Sequence, residues 1–265
     1  MAAPGAVKKR SRTPPSRKAP AEVPSSRAVI DEWARRVEAE YRSAAITQHL
    51  TLWLIQMAAS PDLIHDGLRI VADELAHAEL SHATFVAAGG REMTPIARES
   101  LALHPRPGEP LEALVARHGV EIFCLGETVA VPLFKVLREG CVVEPARIAL
   151  DRVLRDEVRH REFGWTLLAY LLELGCAPAV RALVERELPD MLTRLRRSYA
   201  PVGGEKRTSI PPADRAWGLM PIARYGELLE RTVARDYRPR FARLGFDVGP
   251  AWQEAVRRRP TVGHD

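Results

Sequence analysis

Residues 72–81 read "ADELAHAELS" and residues 155–164 read "RDEVRHREFG", so Asp-Glu-x-x-His-x-Glu occurs twice, from Asp73 to Glu79 and from Asp156 to Glu162. Both copies lie inside long stretches of helical periodicity. On a helix, a Glu and a His three residues apart stand one above the other on the same face. Followed in alternating steps of three and four, the apolar stripe of the first stretch is Leu63, Gly67, Ile70, Glu74, His77 and Ser81. That of the second is Leu150, Val153, Glu157, His160, Gly164, Leu167 and Leu171. The Glu/His pairs therefore take interior positions. An isolated carboxylate there loses its hydration at a cost of several kcal/mol, so something must compensate the buried charge.

The chain around these phrases reads as all-α. Helical patterns cover about residues 29–59, halted at Ser60-Pro61-Asp62, and about 61–88, stopped by Gly89-Gly90. After a polar crossover with Pro105, Pro107 and Pro110, two more run over about 111–139, closing on Gly140, and about 145–175. Strand-like alternation is scarce. Two tight turns and one long crossover predict two antiparallel hairpins, the layout of an all-α antiparallel four-helix bundle with one long connection and additional C-terminal helices. A fifth helix is expected over 179–199, interrupted at Pro189, then a loop over 201–214 and a further helix over about 221–244, bent at Pro239. The organisation that follows is a disordered, basic, Pro-rich tail over 1–27, a helical bundle over 28–200 and a C-terminal helical extension over 201–265 packed on the bundle.

The remaining long helices each carry one acid on the buried stripe. In the third it is Glu127, among Ala116, Val120, Phe123, Ala130, Phe134 and Leu137. In the first it is Glu40, among Trp33, Val37, Ala44, Thr47, Thr51 and Leu54, whereas Glu38 shares a row with Asp31, Arg42 and His49 that reads as solvated. In a hairpin, residues equidistant from the turn sit at equal height. Glu127 pairs in this way with Glu157/His160 about Gly140, and Glu40 with Glu74/His77 close to Ser60-Pro61. Glu40, Glu74, Glu127 and Glu157 bring four negative charges, which two divalent metal ions balance, with His77 and His160 as neutral nitrogen donors. One nitrogen per metal in an oxygen-rich set favours iron or manganese over zinc. Asp73 and Asp156, each preceding a ligand Glu, are placed to orient the ligand histidines.

The set Glu40, Glu74-x-x-His77, Glu127, Glu157-x-x-His160 resembles the ferritin-like di-iron carboxylate superfamily, over about residues 29–175. The resemblance implies a bundle holding two Fe ions, or a Mn/Fe pair, that reacts with O₂ or peroxide. Its members include ferritins, rubrerythrins, ribonucleotide reductase small subunits, aldehyde-deformylating enzymes, hydroxylases and N-oxygenases of amines. It points to an O₂-activating oxidoreductase, an oxygenase or hydroxylase, with O₂ as cosubstrate, a small-molecule substrate and an external electron donor. A homodimer is compatible with it. N-oxygenases that use a third His a turn before the last Glu-x-x-His depart from this chain, which has Val153 on that row. Iron storage or peroxide detoxification of ferritin or rubrerythrin type is the alternative. The chain lacks the Cys-x-x-Cys pairs of a rubredoxin module. A metal-free helical interaction protein is the third reading.

Composition narrows the setting. The net charge of +5 arises in residues 1–27, where seven Lys and Arg face Glu22 alone, leaving −1 for the remainder. Such a tail reads most simply as a solubilising arm, with weak nucleic-acid contact as the sharper but disfavoured reading. No apolar run suits a membrane span and no apolar leader is recognisable. Cys124, Cys141 and Cys176, with no Cys-x-x-Cys pair, read as reduced thiols of a cytoplasmic protein. Glu79 and Glu162 fall off the ligand stripe, as do His49, His65, His82, His104 and His118. Tyr41, Tyr170 and Cys124 read as structural.

Overall fold

A computed structural model describes residues 23–258 apart from 94 and 202. The expected disordered tail falls almost wholly outside the described residues. Its last part is ordered: Ser25 Oγ donates to Ala88 O at 2.7 Å, Trp217 Nε1 donates to Val23 O at 3.2 Å, and Ser26 caps the first helix by accepting from Val29 N at 3.3 Å. Among the described residues every regular element is helical, and none is long and apolar enough to cross a membrane.

Helix α1 spans Arg27–Gln56 and α2 spans Pro61–Ala87. The turn between them uses Ala58 at φ 51°, a left-handed conformation, and Pro61 at the start of α2. Their antiparallel packing is fixed by a close approach. A Cβ on Gly67 would lie 2.4 Å from Thr51 Oγ1. The third expected helix is not uniform. It divides into α3 (Leu111–His118), a π-helical stretch Gly119–Glu127 and α4 (Thr128–Glu139). The π turn takes more residues per turn than the flanking helix, and Glu127 is its last residue.

Helix α5 (Glu144–Glu173) returns antiparallel to this stretch. The contact between them needs Gly164: an added Cβ would stand 2.5 Å from Phe123 Cβ and 2.7 Å from its carbonyl carbon. Gly164 sits one turn beyond His160, so the glycine that lets the backbones meet also sets the height of the ligands. Helix α2 in turn faces α5 through residues of the two repeated phrases.

Helix α6 (Ala177–Tyr199) corrects the expected break at Pro189, which lies inside a continuous helix. Proline forfeits one backbone hydrogen bond there. The buried Leu183, Val184, Leu188, Met191 and Leu192 on both sides hold the helix to the core regardless. Beyond it lie α7 (Pro212–Ala216), α8 (Ile222–Thr232), a π turn Val233–Tyr237, α9 (Arg238–Arg243) and α10 (Val248–Arg257). The expected loop over 201–214 thus already contains the start of α7. The irregularity anticipated at Pro239 occurs just before it, leaving proline in the first turn of α9, where its missing N–H costs nothing.

These C-terminal elements share the core. Tyr237 donates to Leu125 O at 2.6 Å, and Trp33 Nε1 donates to Trp217 O at 3.1 Å. Phe241, Trp252 and Val248 pack with Leu168, Val184 and Leu188 in one buried cluster.

Replacing Gly164 with Ala is expected to destabilise the fold by about 1–3 kcal/mol, because the atoms it meets are largely backbone and cannot swing away. Denaturant unfolding of wild type and G164A measures this; an unchanged midpoint would mean α5 and the π stretch can part without loss.

Candidate metal centre

The repeated phrases meet across the α2–α5 interface. Glu74 and His77 come from α2, Glu157 and His160 from α5, Glu40 from α1 and Glu127 from the end of the π stretch. Five of the six are buried, with His77 and His160 fully so; Glu127 alone keeps partial exposure. Their donor atoms form two overlapping groups, Glu40/Glu74/His77/Glu157 and Glu74/Glu127/Glu157/His160, with all atoms of a group within 4.8 Å of one another. The groups share Glu74 and Glu157, the acids of the repeat. Each adds one imidazole of the repeat and one single acid from another helix. All six residues expected at the centre are therefore brought together.

The imidazoles are oriented by aspartates in a crossed manner. His77 Nε2 lies 3.2 Å from Asp156 Oδ2, and His160 Nε2 lies 3.5 Å from Asp73 Oδ2. Each phrase thus supplies the aspartate that faces the histidine of the other. This fixes Nε2 outward and turns both Nδ1 atoms toward the carboxylates. His77 Nδ1 is 3.7 Å from both Glu40 Oε2 and Glu74 Oε2. His160 Nδ1 is 3.2 Å from Glu74 Oε1 and 3.8 Å from Glu157 Oε2. None of these approaches has hydrogen-bond geometry. His77 Nδ1, His160 Nδ1, Glu74 Oε2 and Glu157 Oε2 are all buried without a hydrogen-bond partner. Four such atoms converging on one volume carry a large desolvation cost, which a cation bound among them would offset. Oxygen and imidazole donors grouped in this way could hold a metal ion.

An arginine girdle that the sequence reading did not single out supports the aspartates. Arg152 bridges both, donating to Asp73 Oδ1 at 2.9 Å and pairing with Asp156. Arg159 Nη1 donates to Asp73 Oδ2 at 2.6 Å, and Arg155 Nε to Asp156 Oδ1 at 3.2 Å. Burial tends to raise the Asp156 carboxyl, but Arg152, His77 and Arg155 outweigh it and hold the group below its ordinary range. The signal was present in the spacing of Arg152, Arg155 and Arg159 about Asp156. It was lost among many surface arginines.

The carboxylates feel one another strongly. Burial, with the neighbouring Glu127, Glu74 and Glu40, pushes Glu157 well above the ordinary range. Burial and the Glu74 charge raise Glu40 to about 7, against the opposing pull of His77. Burial also raises Glu127. In Glu74 the burial effect is overcome by the two imidazoles, which bring it down to about 2. Burial lowers His77, but the carboxylates of Glu40 and Glu74 prevail and lift it to about 10.

Residues set aside on the sequence sit apart. Glu38 pairs with Arg42 on the outer face of α1, Glu79 is exposed, and Glu162 pairs with Arg240 at 2.8 Å. Cys124, Cys141 and Cys176 are free thiols. Tyr199, at the end of α6, was not anticipated near the site. Burial and the negative Glu127 and Glu157 raise its phenol well above the usual range. No protein family, curated protein or solved structure matches this chain.

In metal-free protein the folded carboxyls of Glu40, Glu127 and Glu157 keep protons that the unfolded chain has released. The folded state therefore binds more protons, and its stability should fall as pH rises from about 4.5 through about 7. The raised His77 continues the same trend toward about 10. Thermal melts of chelator-treated protein should show a lower Tm at pH 8 than at pH 5, with added divalent iron or manganese restoring it. A Tm rising over that interval would contradict these assignments. A second test separates neighbours on α1. Glu40→Gln should weaken metal retention against a competing chelator by roughly tenfold or more, as loss of a charged ligand implies, and Glu38→Gln should not. Equal effects would place the wrong face of α1 inward.

Proposed function

We propose that this protein is a ferritin-like four-helix-bundle oxidoreductase that binds two iron ions, or a Mn/Fe pair, and uses O₂ on a small organic substrate. The observation that carries this reading is the convergence of four partnerless buried atoms, two imidazole nitrogens and two carboxylate oxygens, on groups that share Glu74 and Glu157. Glu40 with His77 and Glu127 with His160 would hold the ions, together with Glu74 and Glu157, which both groups share. A bound pair of redox-active ions would supply the electrons that reduction of O₂ requires.

The chain's own residues set the conditions for that chemistry. Asp156 and Asp73 keep the Nε2–H bonds of His77 and His160 in place, so that Nδ1 is the donor face. Arg152 pairs with both aspartates and so fixes their separation. Phe123, one turn before Glu127, and Phe163 are buried in edge-to-face contact, ring centroids 4.9 Å apart, and would help to keep the neighbourhood of the site dry. Glu127, the one partly exposed acid, marks the side from which small molecules would arrive.

Storage of iron is the competing use of such a centre, and the stoichiometry of O₂ uptake distinguishes them. Anaerobically reduced, metal-loaded protein should consume about one O₂ per chain and then stop until reductant is supplied. Uptake is followed with an oxygen electrode against added ferrous iron, with and without reductant. Continuous uptake over many irons per chain, leaving a soluble mineral, would instead identify a store.

A further inference from the structure

A cavity of about 570 Å³ lies between the first turns of α1, the end of α6, residues 206–210 and α7–α8. Its volume suits a small organic molecule. Tyr199 forms part of its wall and packs on the same core as the π stretch that ends at Glu127.

The cavity's charges are unevenly satisfied. Glu32 is neutralised by Arg35 at 2.7 Å and Arg36 at 3.2 Å. Asp214 has no such partner. It is 5% exposed, lines the cavity, and its carboxylate makes no hydrogen bond or ion pair among the described residues. Its oxygens are not among the buried atoms cut off from solvent, so a cation entering the cavity can reach them. Lys206 and Arg207, also lining the cavity, are exposed cations that meet no acid among the described residues. The same cavity is lined by the rings of Tyr199 and Tyr225, 6.3 Å apart and inclined at 59°, and by Leu219 and Met220. Aromatic faces next to a carboxylate suit an ammonium group, and the apolar side chains suit a hydrocarbon body.

A simple anion would leave Asp214 uncompensated and be repelled by it. A simple amine would meet Lys206 and Arg207 as like charges. We propose that the cavity binds a small zwitterion of amino-acid type, its ammonium on Asp214, its carboxylate toward Lys206 and Arg207, and its apolar side chain against Tyr199 and Tyr225. As the seat of the substrate this rests on the dimetal reading; as a binding site it does not.

The test is calorimetric titration of the full-length protein, metal-loaded and metal-free, with phenylalanine and leucine and with the corresponding amines and deaminated acids. Each zwitterion should bind roughly tenfold or more tightly than either of its truncated analogues, the scale of one lost hydrogen bond to a charged group. Asp214→Asn should abolish the advantage over the deaminated acid. The exposed double variant Lys206→Gln/Arg207→Gln, which carries little risk to folding, should abolish the advantage over the amine. In metal-loaded protein, the zwitterion should also perturb the optical spectrum of the metal centre. Absence of binding by both amino acids, or equal binding of all three chemical forms, overturns the proposal. Metal content of the same samples keeps the two readings apart. Failure to bind with two metals present counts against the cavity alone. Binding by a chain that takes up no metal counts against the dimetal reading and leaves the cavity standing.

Discussion

Gathering Glu40, Glu74, Glu127 and Glu157 with two imidazoles inside a helical core, donor atoms within 4.8 Å in each group, is the constraint on which the structure depends. Like charges at that spacing repel, and burial removes the water that would screen them. The fold answers by layers. The imidazoles face the acids, the aspartates hold the imidazoles, and the partly exposed Arg152, Arg155 and Arg159 hold the buried aspartates. Helix packing is subordinate to this. Gly67 lets α1 approach α2, and Gly164 lets α5 approach the π stretch, so that acids from four helical segments reach one volume.

The long helices and the six inward residues were legible because two periodic signals coincide: a three-four apolar stripe, and acids and histidines that interrupt it at matching heights. Glu40 was distinguishable from Glu38 on the same ground, and the structure turns Glu40 inward while Glu38 pairs with Arg42. Several features were not legible. The crossed pairing of Asp73 with His160 and Asp156 with His77 depends on the relative height of α2 and α5, which sequence spacing within either helix does not encode. The π stretch over Gly119–Glu127 keeps an apolar pattern close to that of an α-helix, so it reads as one. Pro189 was read by its local preference, whereas burial of the leucines flanking it decides the outcome. Helix α10 is short and follows a loop, yet Val248, Ala251, Trp252 and Ala255 carry the three-four spacing that would have revealed it.

The C-terminal elements link the fold to its use. Tyr237 ties them to the π stretch at Leu125, two residues before Glu127, and Trp217 ties them to α1 through Trp33. The region that shapes the cavity is thereby braced against the elements that carry Glu127 and Glu40. A ligand in the cavity and a metal in the core would be felt through the same short segments.

A two-metal site built by a repeated Glu-x-x-His is tested by elemental analysis of protein loaded anaerobically with ferrous iron and freed of excess, for wild type and for His77→Ala and His160→Ala. About two irons per chain are expected in the wild type and about one fewer in each variant, with helical content retained. A wild type that binds no iron, or variants that keep the full complement, would contradict it.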